Sequence, residues 1–367
     1  PVYHDLDPAA ARAKLRAAFA CLPIQYLLIG WDLPQRLVAA CAEEAAQAKV
    51  QFYRWQPLLT DDGMLQPTPA WQTIGLQGEP VPGFQQMAEF TFVCPNRPVV
   101  REAIFIHLHH LARHGGYQGF FLDRMRFPSP AADPTRWLAC ICPDCQHVAG
   151  AEGLDLAALA PRIVRLLHTA DARTAVLRAL FHAGVDTAEH SDLVALNTFL
   201  DFRSRSITRF VRAAADLLHA DGVKVGLDTF SPALTRLVGQ DLAALAPCAD
   251  WVKPMSYCHT LGPAGLPFEL LDLAQWFMTC HAVNEAAALA TVATASGLPL
   301  PSTFAALRTS GLPAATLRAE MMQARRAGVK TLLAGVELVE IPGVTRLTAS
   351  QIAQDHGVLQ ASAVDGL

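Results

Sequence analysis

The chain has 367 residues, of which 52% are hydrophobic and only 17% charged, so it can bury the core of one large α/β domain or of two ordinary ones. Its formal net charge of −4 offers no basic stripe for nucleic-acid phosphates, and no apolar run reaches the roughly 20 residues of a membrane span. We therefore expect neither a nucleic acid nor a membrane as partner. Most of the nine cysteines are scattered singly in apolar contexts, which favours reduced thiols in a cytoplasmic protein.

Short apolar runs that end in a polar residue alternate along the chain with longer segments of helical periodicity, which is typical of βα units and a parallel sheet. In chain order, the apolar runs lie at residues 1–5, 26–32, 50–57, 119–123, 223–230, 250–257, 330–337 and 356–363. They predict eight strands that end near His4, Asp32, Trp55, Asp123, Asp228, Tyr257, Glu337 and Gln360. The first predicted helix runs from about Pro8 to Phe19.

Eight strands that alternate with helices predict an α/β fold, a (β/α)₈ TIM barrel that forms one catalytic domain over residues 1–367. An open doubly wound sheet is the alternative, which the lack of a Gly-rich phosphate loop after the first strand disfavours. Two connections are too long for simple βα units. One spans residues 58–96 after the third strand, and the other contains a Cys-bearing insertion at about residues 127–190 after the fourth. Long segments of this kind usually form covers or small subdomains over a site.

Acidic residues end three of the predicted strands, namely Asp123, Asp228 and Glu337. Because the C-terminal strand ends of a TIM barrel meet at one mouth, these carboxylates are predicted to converge there as catalytic residues. Glycoside cleavage uses such groups: one acid protonates the leaving oxygen, and another attacks or activates water. The alternative for Asp123 is a structural ion pair with Arg124 or Arg126. Successive strand residues point to opposite faces, so we expect Arg124 to turn away and Arg126 to fold over the mouth.

Polar and aromatic residues at the other predicted strand ends suit a sugar, which presents rows of hydroxyls and apolar C–H faces. The predicted substrate-binding residues are His4, Asp32, Arg54, Trp55, Arg126, Lys253 and Tyr257. The alternative for each is a place in an interior barrel layer or an ion pair at the rim. A Schiff-base role for Lys253 is disfavoured because no companion motif accompanies it.

The stretch "CICPDCQH" indicates a second kind of site. Cys140, Cys142 and Cys145 lie within six residues, and a Cys-Pro-Asp-Cys turn presents two thiolates to a tetrahedral zinc ion. The fourth ligand would be His147, Cys94 or His168. Three thiolates suit a structural zinc better than a catalytic metal, and reduced loop cysteines without metal are the alternative.

Two stretches resemble a known family. The stretch "GFFLDRMRFPSP" resembles the "FDYIRFPS" fingerprint of a glycosyl-hydrolase-like TIM-barrel family within the wider glycosidase superfamily, and "VGLDTFSPALTRLVGQDLAALAPCADWVKPMSY" resembles its fifth-to-sixth strand segment. The "CxCPxC" stretch is similar to a "CPHC"-like loop of some relatives. The likeness covers residues 116–130 and 223–257, under a fifth of the chain, and is only architectural elsewhere.

The resemblance implies a barrel hydrolase in which Asp123 takes the place of the fourth-strand nucleophile or base. Many such enzymes use a Glu of the fifth strand as acid, where this chain has Asp228, and Glu337 is the alternative donor. We therefore expect a glycoside hydrolase that acts on an oligosaccharide or glycoconjugate and requires no cofactor for catalysis. A catalytically silent carbohydrate-binding barrel and a lyase or transglycosidase are the alternatives. The sequence leaves open the oligomeric state and whether cleavage is retaining or inverting.

Overall fold

A parallel sheet forms the centre of the computed structural model, which describes residues 6–63, 68–188 and 190–367. Its strands are β1 (Tyr26–Ile29), β2 (Gln51–Pro57), β3 (Gly119–Asp123), β4 (Lys224–Phe230) and β5 (Trp251–Met255). The strands lie in the order in which they occur along the chain, and every neighbouring pair is parallel. The predicted α/β class with a parallel sheet is therefore confirmed.

Helices connect and cover the strands. In the described residues they are α1 (Pro8–Cys21), α2 (Gln35–Ala48), α3 (Pro98–His114), α4 (Pro134–Trp137), α5 (Pro143–Ala151), α6 (Leu156–Leu167), α7 (Arg173–Phe181), α8 (Asp192–Ala220), α9 (Leu242–Leu245), α10 (Leu266–His281), α11 (Glu285–Ser296), α12 (Phe304–Ser310), α13 (Ala315–Arg326) and α14 (Ala349–Gln360). The predicted first helix matches α1, which begins where the Asp7 side chain accepts a hydrogen bond from the Ala10 amide. None of the described helices is long and apolar enough to cross a bilayer.

The inner face of the sheet carries an aromatic cluster of Tyr53, Phe121 and Trp251, which come from β2, β3 and β5. The rings of Phe121 and Trp251 stack with their centroids 4.9 Å apart. Glycines occupy the positions between the rings because a larger residue would collide with them. A Cβ atom on Gly119 would lie 2.2 Å from the Tyr53 ring, and one on Gly226 would lie 2.2 Å from the Trp251 ring. Strand residues of this inner face thus pack on one another.

Residues that alternate with this cluster point to the helices. Because side chains alternate between the two faces of a strand, the intervening positions form the main hydrophobic core. Its strand members include Phe52, Phe120, Leu122, Val225, Leu227 and Val252. The sequence pattern of nearly continuous apolar strands follows from this arrangement, since both faces are covered.

The sheet continues beyond β5 as isolated parallel bridges. Leu332 bridges to Val252 of β5, and Leu333 bridges to Gly366 close to the end of the chain. The strand predicted over residues 330–337 is therefore much shorter than expected.

The strand predicted over residues 356–363 is wrong, because these residues belong to α14 and the turn after it. A capping box between Thr348 and Gln351 begins this helix, and it continues through the apolar residues that suggested a strand. The strand predicted at residues 1–5 lies outside the described residues. Within the described residues, the structure thus shows a five-stranded parallel sheet that two bridged segments extend, and it shows no closed eight-stranded ring.

Both long connections leave the C-terminal edge of the sheet. Residues 58–97, between β2 and α3, contain three short 3₁₀ helices in their described part, which is 58–63 and 68–97. Residues 124–191, between β3 and α8, contain α4 to α7, and the 29-residue α8 leads back to β4. These two segments therefore begin at the end of the strands that carries the predicted catalytic residues.

Candidate active site

Two buried carboxylates lie side by side at the C-terminal edge of the sheet. Asp123 ends β3, and Asp228 lies in β4. Asp123 is only 6% exposed to solvent, and Asp228 only 2%. The register pairs Leu122 with Leu227, so the next residues along the two strands are Asp123 and Asp228. Paired residues of neighbouring strands are about 4.8 Å apart and point to the same face. We call these two residues the carboxylate pair.

Donors from two directions hold Asp123. The indole Nε1 of Trp55 donates a hydrogen bond to Oδ2 at 3.2 Å, and the backbone amide of Arg124 donates to Oδ1 at 2.5 Å. Both carboxylate oxygens of Asp123 therefore accept hydrogen bonds. The Trp55 ring is 37% exposed and meets the edge of Trp31 at a centroid distance of 5.2 Å. The two indoles thus form an aromatic wall beside the carboxylate.

Asp228 forms an ion pair with Lys253 of β5, whose Nζ lies 2.9 Å from Oδ1. Burial raises the pKa of Asp228 to about 7 against the opposing effect of Lys253, and the charge of Asp123 adds to the rise. Lys253 also donates a hydrogen bond to the Tyr257 hydroxyl at 2.7 Å. Burial alone would lower the pKa of Lys253, but the charges of Asp228 and Tyr257 raise it. Lys253 therefore stays protonated, which is unsuitable for a Schiff base.

The two arginines after β3 are both buried. Arg126 is enclosed between the rings of Phe92 and Phe230, with its Cζ 4.5 Å and 4.4 Å from their centroids. Burial lowers the pKa of Arg126 to about 10. Arg124 has a left-handed backbone (φ 52°), and its guanidinium lies over Trp31 and donates to the Thr60 hydroxyl at 3.0 Å. Neither arginine forms an ion pair with Asp123 among the contacts of the described residues.

Glu337 belongs to a separate group of side chains. Its Oε2 accepts a hydrogen bond from the His259 amide at 3.0 Å, and its Oε1 accepts one from the Thr260 hydroxyl. The ring of His259 in turn lies 3.0 Å from the carboxylate of Asp355 in α14. Burial raises the pKa of Glu337. In the described part of the chain, no hydrogen bond or ion pair joins Glu337 to the carboxylate pair.

This second group could also be read as a metal site, since ligand atoms of His259, Glu337 and Asp355 lie within 4.8 Å of one another. Hydrogen bonds within the protein already engage both oxygens of Glu337 and the Nε2 atom of His259. The Gln351 amide contacts the other ring nitrogen of His259 at 3.3 Å. The group therefore fits a connection between α14 and the segment after β5.

The remaining predicted sugar contacts are placed differently. Arg54 precedes Trp55 on β2 and points to the helical side of the sheet, where it donates to Gln56 at 2.6 Å and to the Trp31 carbonyl at 3.0 Å. Arg54 therefore lies outside the mouth where it was expected, because strand residues alternate between faces. Asp32 is exposed three residues after β1. His4 lies outside the described residues.

Four cysteines form a buried cluster at the edge of the second long connection: Cys94, Cys140, Cys142 and Cys145. Their Sγ atoms all lie within 4.8 Å of one another, with 3.3 Å between Cys94 and Cys145. Four sulfurs at about 2.3 Å from a tetrahedral zinc ion would be about 3.8 Å apart. The donor set therefore fits zinc, and Cys94 takes the fourth position that the sequence left open between it and two histidines.

Two N–H groups outside the cluster donate hydrogen bonds to its sulfur atoms. The amide of Ile74 donates to the Cys140 sulfur, and the side-chain amide of Asn96 donates to the Cys145 sulfur, each at 3.3 Å. Donors of this kind orient and stabilise thiolate ligands. Because Cys94 and Cys140 come from different long connections, a shared ion would join those two segments.

Two acidic residues of α10, Glu269 and Asp272, were missed by sequence reasoning. They lie beside Arg126 at the same edge of the sheet and line a cavity there. Their spacing of three residues places them on one face of the helix, and this spacing is the sequence feature that could have indicated a shared site. The signal was weak because paired acids on a helix usually face solvent.

No protein-family model matches the chain, and no curated protein matches it by sequence. Among solved structures, the fold is similar to a β-galactosidase from the psychrophilic Marinomonas ef1, with a TM-score of 0.43 and 13% identity over 76% of this chain and 45% of that one. It is also similar to a β-galactosidase from the Antarctic haloarchaeon Halorubrum lacusprofundi, with a TM-score of 0.48 and 14% identity over 90% of this chain and 51% of that one.

A class V chitinase from Pseudomonas fluorescens Pf-5 is similar with a TM-score of 0.38 and 13% identity over 96% of this chain and 97% of that one. The chain thus spans about half the length of the two β-galactosidases. These similar structures are glycoside hydrolases. Because all three TM-scores are below 0.5, the assignment of an activity to this chain depends on its own residues.

Proposed function

We propose that the chain is a glycoside hydrolase that cleaves an oligosaccharide or glycoconjugate with Asp123 and Asp228. The observation that carries the proposal is the placement of two buried carboxylates at adjacent, in-register positions on one strand edge. Aromatic and hydrogen-bonding side chains surround them, as a pocket for sugar hydroxyls and C–H faces requires. The immediate neighbours that would contact substrate are Trp55, Lys253 and Tyr257.

The two carboxylates differ in environment, and the difference assigns their roles. Asp123 accepts two N–H hydrogen bonds and is the nucleophile, which attacks the anomeric carbon. Asp228 has a pKa raised to about 7 and is the proton donor, whose proton passes to the leaving glycosidic oxygen. Water then cleaves the glycosyl ester on Asp123, and Asp228 takes up the proton of that water.

The in-register strand positions of the carboxylate pair favour a retaining reaction. Retaining enzymes hold their two carboxyl groups about 5 to 5.5 Å apart, whereas inverting enzymes keep about 6.5 to 9.5 Å to admit a water molecule. Side chains at in-register positions of neighbouring strands begin only about 4.8 Å apart. This spacing supports direct attack by Asp123. Glu337 is the less suitable donor because both its oxygens are already engaged by Thr260 and His259.

The ion pair between Asp228 and Lys253 favours a second candidate function, carbohydrate binding without catalysis. If the ammonium group kept Asp228 permanently ionised, the protein would bind carbohydrate without cleaving it. The 2.9 Å contact is the specific observation behind this alternative, a catalytically silent carbohydrate-binding protein.

We propose in addition that the four-cysteine cluster holds a structural zinc ion. Catalysis needs no contribution from this ion, because the buried sulfurs leave no open coordination position for substrate. Its role would be to fasten the segment with Cys94 to the insertion with Cys140, Cys142 and Cys145. Those segments also supply walls of the mouth.

The test is hydrolysis of a panel of aryl glycosides and natural oligosaccharides by wild type, Asp123→Asn and a control, Asp216→Asn. Asp216 is an exposed residue of α8, so its substitution makes the same chemical change away from the site. We expect Asp123→Asn to lower kcat by roughly 10²- to 10⁴-fold and the control to match wild type. Carbohydrate binding without turnover by any of the three proteins would establish the silent alternative instead.

A further inference from the structure

A cavity of about 310 Å³ lies on one side of Arg126. Its walls come from both long connections and from the start of α10. Arg126 lines it, and the charges of Asp123, Asp228 and Glu269 all act on the Arg126 guanidinium. Arg126 therefore connects the cavity electrostatically with the carboxylate pair, and neither Asp123 nor Asp228 is among the lining residues.

Aromatic rings supply much of the cavity wall: Phe84, Phe90, Phe92, Trp137 and Phe268. Phe84 meets Phe268 edge to face with 5.4 Å between ring centroids, and it meets Phe90 in the same way at 5.9 Å. Rings in this arrangement expose both faces and edges to a ligand. An apolar wall of this type suits the C–H face of a sugar ring.

Charged side chains line the same cavity. Asp272 lines the cavity, and its carboxylate has no hydrogen bond or ion pair among the described residues; burial raises its pKa to about 6. Arg126 also lines the cavity, and its Nη1 donates a hydrogen bond to the Phe127 carbonyl at 3.2 Å. Glu269 differs, because it already accepts hydrogen bonds from the Ser129 hydroxyl and the Ala264 amide. A carboxylate without a hydrogen-bond partner among the described residues and a guanidinium thus line the cavity.

The chemistry of these groups selects the ligand. An acceptor such as Asp272 requires a hydroxyl donor, and Arg126 requires an oxygen acceptor, while the rings require an apolar face. A pyranose ring carries all three. The volume lies at the lower end of the roughly 300 to 1,000 Å³ of ligand pockets, which limits the occupant to about one ring. Two carboxylates against one guanidinium disfavour an acidic sugar.

We propose that this cavity is a subsite for one uncharged sugar ring of the substrate, with Asp272, Arg126 and Phe268 as its binding residues. The proposal rests on the proposed function for its substrate class, and it adds the location and charge preference of one ring. Asp272 and Phe268 bind this ring and take no part in the chemical step at the carboxylate pair.

The test measures binding directly by calorimetry and saturation-transfer NMR, in an Asp123→Asn background that prevents turnover. The probes are cellotriose, chitotriose, maltotriose and β-1,4-galactotriose, with trigalacturonate as the acidic probe. We expect at least one neutral probe to bind and trigalacturonate to bind more weakly than that probe. Adding Asp272→Asn or Phe268→Ala should weaken binding about tenfold, the effect of losing one good contact. Adding Asp216→Asn should leave the Kd unchanged.

A conservative variant guards against misfolding: Phe268→Tyr keeps the ring and should retain the affinity that Phe268→Ala loses. Failure of every neutral probe to bind, or unchanged affinity in both Asp272→Asn and Phe268→Ala, would overturn the subsite. Failure of the proposed function gives a different result, in which wild type shows the same binding pattern but cleaves none of the bound probes.

Discussion

Asp228 experiences two opposing influences, and their balance decides its chemistry. Burial in the wall of the sheet and the neighbouring charge of Asp123 favour the protonated acid, whereas Lys253 at 2.9 Å favours the carboxylate. The outcome is a pKa raised to about 7, so about half of the molecules carry the proton near neutral pH. A group balanced in this way can donate a proton and take one back within a catalytic cycle.

The pH dependence of kcat/KM follows from this balance. The donor must be protonated, so activity should fall as the pH rises through about 7, which is the raised pKa of Asp228. Steady-state kinetics between pH 4 and 9, with an aryl glycoside that the protein cleaves, would show this fall as an alkaline limb of the pH profile. On that limb kcat/KM should decrease by about an order of magnitude per pH unit. Asp228→Asn should abolish the limb, and a limb that persists in this variant would assign the proton to another group.

At the scale of elements, the site depends on the register of β3 and β4 and on the segments that leave the strand ends. A shift of one residue in either strand would move its carboxylate to the helical face of the sheet. The second long connection begins directly after Asp123, and its cysteines meet Cys94 of the first. The two insertions are therefore held together near the mouth that they border.

Metal analysis tests this connection between the insertions. We expect about one zinc ion per chain in the purified protein, and little zinc in Cys94→Ser, because a three-cysteine site lacks the fourth ligand. Cys94→Ser should also unfold at a lower temperature, since binding of a structural zinc contributes to folding. Cys21→Ser is the control, because Cys21 is exposed and outside the cluster. Equal zinc content in the two variants would remove Cys94 from the ligand set.

Much of this arrangement could be predicted from the sequence, for physical reasons that also explain the failures. The strands that carry Asp123 and Asp228 were predicted because apolar runs between helices identify buried parallel strands. Near the C-terminus the same reasoning placed a strand in residues 356–363, where a capped helix occurs. The short apolar pair Val358 and Leu359 fits either structure, and the capping box favours the helix. The prediction that Arg54 contacts substrate is wrong for a different reason. Its position near the end of a strand does not reveal which face of the sheet its side chain occupies.

At the scale of the whole molecule, the inner face of the sheet is layered. Aromatic rings of Tyr53, Phe121 and Trp251 fill the lower part, and the carboxylate pair lies above them toward the C-terminal edge. Close packing of the rings depends on glycines between them. The layer therefore provides a rigid floor beneath the carboxylates. A substitution that disturbs the packing of these rings should lower the stability of the entire sheet.

Gly226→Ala tests the packing of this floor. A Cβ atom at this position would lie 2.2 Å from the Trp251 ring, so the ring or the strand must move. We expect a loss of about 1 to 3 kcal/mol in the free energy of unfolding, measured by chemical denaturation. Gly150→Ala in α5 is the matched control, because no atom lies within 4 Å of a Cβ atom there. Its stability should be unchanged or slightly higher, as expected for alanine in a helix. Equal stability of the two variants would contradict the packing argument.

The division of labour between Asp123 and Asp228 is tested most directly by the dependence of kcat/KM on the leaving group. Asp228→Asn should cleave aryl glycosides with a good leaving group, such as dinitrophenol, far better than those with a poor one, because only a poor leaving group needs a proton. Asp123→Asn should lose roughly 10²- to 10⁴-fold with every leaving group, because the nucleophile is required for all of them. Equal losses for Asp228→Asn across the series, or undiminished turnover by Asp123→Asn, would contradict the proposed mechanism.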